Sequence, residues 1–267
     1  MTIKEYVKIR KVELKDEFSR LNKPIKFVIV QMNDDEASNI YIKGKLKDAN
    51  ELGVKAILHK VNENASMDDL LKEIDNLNKD DSVTGFIVQM PLPKQIDEEL
   101  IKLSIDPKKD VDGFNPLSKL NPCTPQGILN YLDYENIDIL GKNAVVIGRS
   151  NIVGKPMAKL LLSRSANVTV LHSKTSFTDM YRYIENADII VVAIGKKHFL
   201  DNRFKYKKDA VIVDVGINRD EEGLHGDALE ELDVRLKTPV PGGVGLLTRL
   251  ALYENLLIIA KDNEHGI

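Results

Sequence analysis

The chain has 267 residues, with 38 Lys and Arg against 41 Asp and Glu and a formal net charge of −3. That balance leaves no electrostatic footprint for nucleic acid or an anionic membrane, and 43% hydrophobic with 30% charged residues is the composition of a globular protein. One cysteine, Cys123, excludes an intrachain disulfide framework and a Cys-cluster metal site, and no apolar run approaches the length of a membrane span. Residues 1–14 carry charge throughout, unlike a secretory leader, so a cytoplasmic location is expected.

In chain order, the first twenty residues predict an amphipathic helix with Tyr6, Val7, Ile9, Val12 and Leu14 on its apolar side. A buried strand follows over residues 26–31, a helix over 38–52 stopped by Gly53, and a strand over 54–59. A helix over 67–78 and a strand over 85–89 complete an α/β layer on a parallel sheet. A loop rich in Pro, Asp and Gly, 106–125, marks a boundary. Beyond it strands are expected at 143–148, 168–172, 188–194 and 210–215, with helices at 156–163 and near 178–185. This second βαβαβ series is the skeleton of a dinucleotide-binding domain. The final segment, 248–261, is strongly helical; a return onto the first domain is compatible with its pattern, which does not show where it docks.

The fold class is therefore α/β with two domains. The boundaries read are 1–122 for the first, with 249–267 returning to it, and 123–248 for the second.

The turn Gly148-Arg149-Ser150-Asn151-Ile152-Val153-Gly154 joins a buried strand to a helix. Small residues there let the backbone approach a pyrophosphate, whose charge a helix N-terminus favours. Ser150 stands where the second glycine of G-x-G-x-x-G would be, so a purely structural turn competes with a phosphate cradle. The second strand of this domain ends in Ser173, with no acid to take the ribose hydroxyls of NAD. Arg149 at the phosphate turn adds positive charge, which favours a 2′-phosphate and hence NADP.

Tyr41 and Lys45 share one face of the 38–52 helix. A core Tyr beside a surface Lys is the bland account. Short-chain dehydrogenases use the same spacing, but after their nucleotide-binding half, whereas here it comes about a hundred residues before. Gln89 ends a strand and leads into Met90-Pro91-Leu92-Pro93, at the sheet edge where α/β ligands gather. A glutamine can hydrogen-bond Lys45 without adding negative charge, so a partly buried lysine would keep a lowered pKa. Asp110 and Asp112 alternate in the boundary loop; a Ca²⁺ loop competes, but no further ligands stand at EF-hand spacing. His59, His172, His198, His225 and His265 show no metal spacing and no triad companions, so no metal site is expected. Cys123 has no activating neighbour in sequence and reads as structural.

The motifs form one ordered set. Ser38-x-x-Tyr41-x-x-x-Lys45 precedes Gly85-Phe86-Ile87-Val88-Gln89-Met90-Pro91-Leu92-Pro93, then Lys109-Asp110-Val111-Asp112-Gly113-Phe114 and Pro122-Cys123-Thr124-Pro125. Val146-Ile147-Gly148-Arg149-Ser150, Val213-Asp214-Val215-Gly216-Ile217-Asn218 and Thr238-Pro239-Val240-Pro241-Gly242-Gly243-Val244-Gly245 follow. Over nearly the whole chain this set resembles the methylenetetrahydrofolate dehydrogenase/cyclohydrolase (FolD) family. The resemblance implies an N-terminal folate-binding catalytic domain and a Rossmann-like NADP domain, with oxidation of methylenetetrahydrofolate and hydrolysis of the methenyl product at one cleft. It implies that Lys45 is the catalytic lysine, Gln89 its partner, and Tyr41 the ring stacked on the folate. Asp112 would grip the pterin, with Pro91 beside it, and Gly148, Arg149, Ser150, Ser173 and Ile217 would contact NADP. A homodimer is implied as well. The chain departs from the family pattern at 32–37, which lack its Gly and Pro, and at Leu246-Leu247 with Arg249 after Thr248. A nucleotide-binding sensor or scaffold without turnover is the other reading; a pure binder has no use for the matched lysine and amide.

Overall fold

The computed structural model describes residues 2–265, and the chain divides into two compact units. One comprises Lys8–Cys123 and the chain from Arg249 on; the other comprises Thr124–Thr248 and the chain up to Val7.

In the first unit, α1 (Ile3–Ser19), which begins in the other unit, leads to β1 (Lys26–Gln31), α2 (Glu36–Leu52), β2 (Lys55–Lys60), α3 (Met67–Lys79), β3 (Gly85–Val88) and α4 (Glu98–Ser104). The strands form a parallel sheet in the order β2-β1-β3. Every residue of β3 is buried, which is why the strand reads as an unbroken apolar run. Helix α2 starts at Asp35, whose carboxylate accepts from the Ser38 amide at 2.8 Å, and stops at Gly53 in the left-handed conformation. After α4 the chain bridges back to the edge of β3, where Phe86 N donates to Lys109 O at 2.9 Å. That contact sets Asp110 and Asp112 at the border of the sheet.

Helix α1 corrects one expectation. Ile3, Tyr6, Val7, Leu14 and Phe18 are buried, while Ile9 and Val12 are 40% and 66% exposed. Between Val7 and Leu14 the inward face carries Arg10 and Lys11, which pair with Glu254 and with Asp48 and Glu51. The first seven residues also group with the other unit rather than the first. Tyr6 is buried there, its ring 5.6 Å from Tyr131 and 4.5 Å from Tyr134.

The second unit runs α5 (Cys123–Tyr134), β4 (Asn143–Ile147), α6 (Gly154–Ser163), β5 (Asn167–Leu171), α7 (Phe177–Glu185), β6 (Ile189–Val192), β7 (Val211–Asp214), β8 (Asn218–Asp220), β9 (Gly223–His225) and β10 (Leu236–Lys237). Its five-stranded parallel sheet has the order β10-β7-β6-β4-β5, and β8 and β9 form a separate hairpin. Apolar side chains cover both faces, with Val146, Met157 and Leu161 on one and Ile147, Ile184 and Ile212 on the other. Helix α5 begins inside the stretch read as loop, because Pro125 falls in its first turn, where a missing N–H costs nothing. Helix α8 (Val244–His265) closes the chain. No helix among the described residues is long and apolar enough to cross a membrane.

Candidate active site and nucleotide site

Helix α2 carries Tyr41 and Lys45 one turn apart, and β3 delivers Gln89 just past its carboxyl end, where Gln89 N donates to Val30 O at 2.8 Å. The Lys45 ammonium donates to Gln89 Oε1 at 3.0 Å. The same amide donates from Nε2 to Met90 O at 2.8 Å, which turns its oxygen toward the lysine. Lys45 is buried, and its Nζ lies 5.6 Å from the centroid of the Tyr41 ring, within cation–π range. Burial pushes the Lys45 pKa down, with the Arg249 charge acting in the same direction and Asp112 against it. Gln89, being neutral, offsets none of this. The arrangement yields an amine that gives up its proton more readily than an ordinary lysine.

Asp112 belongs to the same group. Burial raises its carboxyl pKa and the Lys45 charge opposes that rise. Its loop is held by Asp110, whose carboxylate accepts from Gly113 N at 3.1 Å and Asn115 N at 2.7 Å. Asp110 is buried deeply enough to raise its pKa to about 7. The two alternating aspartates thus differ in role: Asp110 organises the loop, and Asp112 is close enough to Lys45 for their charges to interact. The Cys123 thiol is buried and its pKa is raised well above normal by burial, the state of an inert cysteine. Pro91 is exposed, and its carbonyl accepts from Asn33 Nδ2 at 2.5 Å.

In the other unit, Gly148 ends β4 with φ of +122°, and a Cβ there would lie 2.5 Å from the Ala193 carbonyl. Only glycine fits. Arg149 and Ser173 are exposed and, with Gly148, His172 and Lys196, line a cavity of about 290 Å³. The Ser150 hydroxyl turns back to accept from Val153 N (3.2 Å) and Gly154 N (3.3 Å), so it takes up donors of α6 that a phosphate could otherwise use. Ile217 lies apart from this cavity, on a smaller one beside Pro239 to Gly245.

Sequence reasoning missed three features. Asp227, fully buried, accepts from Ile194 N (2.7 Å), Gly195 N (3.0 Å), Lys196 N (2.7 Å) and Asn218 Nδ2 (3.0 Å), and so shapes the turn after β6. The Tyr253 hydroxyl donates to the Lys45 carbonyl at 2.5 Å. The hairpin brings His225 to Asp220 and Glu222, which spacing alone did not show; the Lys197 ammonium bonds both carboxylates at 2.6 and 2.9 Å.

A parallel-sheet unit with a glycine turn at its first strand and a second unit with a buried lysine–amide pair define a two-domain dehydrogenase-type enzyme. Residues 1–112 match the tetrahydrofolate dehydrogenase/cyclohydrolase catalytic domain, and residues 122–264 match the NAD(P)-binding domain of the same family. The chain is 45% identical to the bifunctional protein FolD of Campylobacter concisus over 274 residues, covering 98% of this chain and 94% of that one. The crystal structure of the bifunctional FolD enzyme from Campylobacter jejuni superposes with a TM-score of 0.94 at 41% identity, covering 98% of each chain. That of the Trypanosoma brucei enzyme, complexed with NADP cofactor and inhibitor, gives 0.92 at 27% identity, covering 99% of this chain and 97% of that one. This chain belongs to the tetrahydrofolate dehydrogenase/cyclohydrolase family.

Proposed function

We propose that this protein oxidises 5,10-methylenetetrahydrofolate with NADP and hydrolyses the resulting 5,10-methenyl compound to 10-formyltetrahydrofolate, within one-carbon metabolism and purine biosynthesis. The observation that carries this reading is the buried Lys45 donating to the neutral Gln89, with Asp112 as its carboxylate neighbour.

Arg149 and Ser173, on the cavity that Gly148 also lines, suit a dinucleotide bearing a 2′-phosphate: charge and a hydroxyl are available where an acid would repel it. When bound, NADP would supply the acceptor for the hydride that leaves the methylene carbon of the folate. For that step the protein's work is positioning. Tyr41 offers its ring to the aromatic part of the folate, and Asp112 offers a carboxyl edge to the amide edge of the pterin. Pro91 and Gln89 border the same group. In the hydrolytic step a water oxygen bonds to the cationic methenyl carbon, and the neutral Lys45 amine takes the proton that the water releases. The carbinol oxygen then loses its remaining proton as the C=O bond forms and the bond from that carbon to N5 breaks; N5 keeps the electron pair and takes up one proton, the formyl group remains on N10, and the proton held by Lys45 leaves to solvent. Gln89 Oε1 holds the lysine in place through this cycle without stabilising its charge as a carboxylate would.

The reading includes a homodimer in the cytoplasm, without nucleic-acid or membrane partners. Light scattering should then give twice the chain mass of 30.0 kDa. The decisive test is an assay of the purified protein, following reduced cofactor from methylenetetrahydrofolate with NADP and the decay of added methenyltetrahydrofolate. Both activities are expected. NADP binding with neither activity would favour the scaffold reading instead.

A further inference from the structure

Arg249 departs from the family pattern noted in the sequence, and the structure gives it a distinct environment. It lies on α8 in the Lys45 unit with its side chain 21% exposed, and its Nε is 3.1 Å from Asp48 Oδ2. Asp48 is 4% exposed and takes Lys11 Nζ at 2.5 Å on its other oxygen. The Arg249 Nε has no hydrogen-bond partner, so Asp48 holds the group by charge and leaves its orientation to packing. That packing is against Gly44: a Cβ added there would lie 1.7 Å from Arg249 Nη1 and 2.9 Å from Cζ. The guanidinium therefore occupies the space of a missing side chain one residue before Lys45. One turn further along α8, the Tyr253 hydroxyl holds the Lys45 carbonyl.

We propose that Arg249 is a positioning residue for Lys45: tied to Asp48 and seated on Gly44, it fixes the turn of α2 from which Lys45 reaches Gln89 and sets a like charge beside the ammonium. The proposal rests on the reading that Lys45 serves hydrolysis. The groups acting on Lys45 are Asp112, which favours its charged form, the Cys123 thiol, kept protonated by burial, the neutral Gln89, the Tyr41 ring, and Arg249, which opposes its charged form. Arg249 thus adds to the effect of burial and keeps more of the lysine neutral near pH 7.

The test compares the pH profile of cyclohydrolase kcat in wild type, Arg249→Leu, Arg249→Lys and Gly44→Ala, with Lys45→Met as reference. In Arg249→Leu the ascending, acidic limb is expected to move to higher pH and kcat at pH 7 to fall about fivefold, with the folate KM within about twofold. Arg249→Lys should keep its limb near that of wild type. Gly44→Ala displaces the guanidinium while keeping its charge on the chain, and should shift the profile in the same direction as Arg249→Leu. In the Arg249→Leu background Gly44→Ala should change nothing further. A folded Arg249→Leu enzyme whose profile superposes on wild type overturns the proposal, even if its Tm falls. Should that variant not fold, an unshifted Gly44→Ala profile overturns it equally. Full hydrolysis by Lys45→Met would overturn the underlying reading; its loss together with unshifted Arg249 and Gly44 profiles would overturn the Arg249 proposal alone.

Discussion

Removing the carboxylate of Asp227 should loosen the nucleotide-binding unit and spare hydrolysis. Asp227 is fully buried and accepts three backbone N–H groups, from Ile194, Gly195 and Lys196, together with the amide of Asn218. A hydrogen bond to a charged group contributes about 1.5–3 kcal/mol, and four cannot simply be added. Asp227→Ala leaves three main-chain donors without a partner, a cost of about 1–3 kcal/mol each where water cannot reach them. Ile194 is half-buried and Gly195 and Lys196 are exposed, so water restores much of that loss. Asp214 recovers a little more, because the Asp227 charge is one cause of its raised pKa. The balance is about 4 kcal/mol for Ala and about 2 kcal/mol for Asn, whose single oxygen still accepts. With an m-value of about 2 kcal/mol per molar in urea, the midpoint of this unit should fall by about 2 M for Ala. Circular dichroism during urea unfolding measures it. Ile194 and Lys196 line the cavity beside Gly148 and Arg149, so the KM for NADP should rise at least about tenfold. Cyclohydrolase kcat should stay within about twofold, since Lys45, Gln89 and Asp112 belong to the other unit. A midpoint shift under about 0.5 M, or an unchanged KM for NADP, would refute the reasoning.

Lys45→Met should abolish cyclohydrolase activity and leave part of the dehydrogenase activity, which depends on positioning; retained hydrolysis would exclude Lys45 as the base. In wild type the ascending limb of the cyclohydrolase profile, where activity is lost as pH falls and Lys45 becomes protonated, should lie below the ordinary lysine value of 10.5, because burial lowers the Lys45 pKa, and an ascending limb at or above 10.5 would contradict that. Arg149→Ala should reduce the preference for NADP over NAD, measured as the ratio of kcat/KM, by about tenfold or more, from the loss of a charge-assisted bond of about 1.5–3 kcal/mol; an unchanged ratio would remove Arg149 from the 2′-phosphate site. Asp110 has a folded pKa raised from 3.8 to about 7, so its stabilising contribution is complete below pH 3.8 and is lost as pH rises through 7. Asp110→Asn should therefore remove up to about 4 kcal/mol of the fall in stability between pH 4 and 7, read from urea midpoints across that range; parallel curves for the two proteins would refute it.

The alternation of apolar strands with helices is local information, and residues 26–31, 85–88 and 143–147 were legible because strands buried on both faces have few other compositions. The pairing of Tyr41 with Lys45 was legible too, since helical geometry alone puts residues four apart on one face. Gln89 was readable as a strand terminus, but only the sheet, by setting β3 beside β1, brings its amide to 3.0 Å from Lys45. Tertiary packing decided the rest. Ile9 and Val12 belong to α1 by pattern, yet the ion pairs of Arg10 and Lys11 claim its inward face and turn those two side chains to solvent. Ser150 looked like a gap in a glycine motif, and in the fold its hydroxyl accepts from the amides of Val153 and Gly154 where α6 begins. Arg249 and Tyr253 stand more than two hundred residues from the α2 turn they touch, and Asp227 more than thirty from the backbone amides it binds. Propensity and periodicity act over a few residues along the chain, whereas hydrogen bonds and charges act across space. The chemistry of Lys45 therefore lies half in its own helix and half in partners that only the folded chain assembles around it.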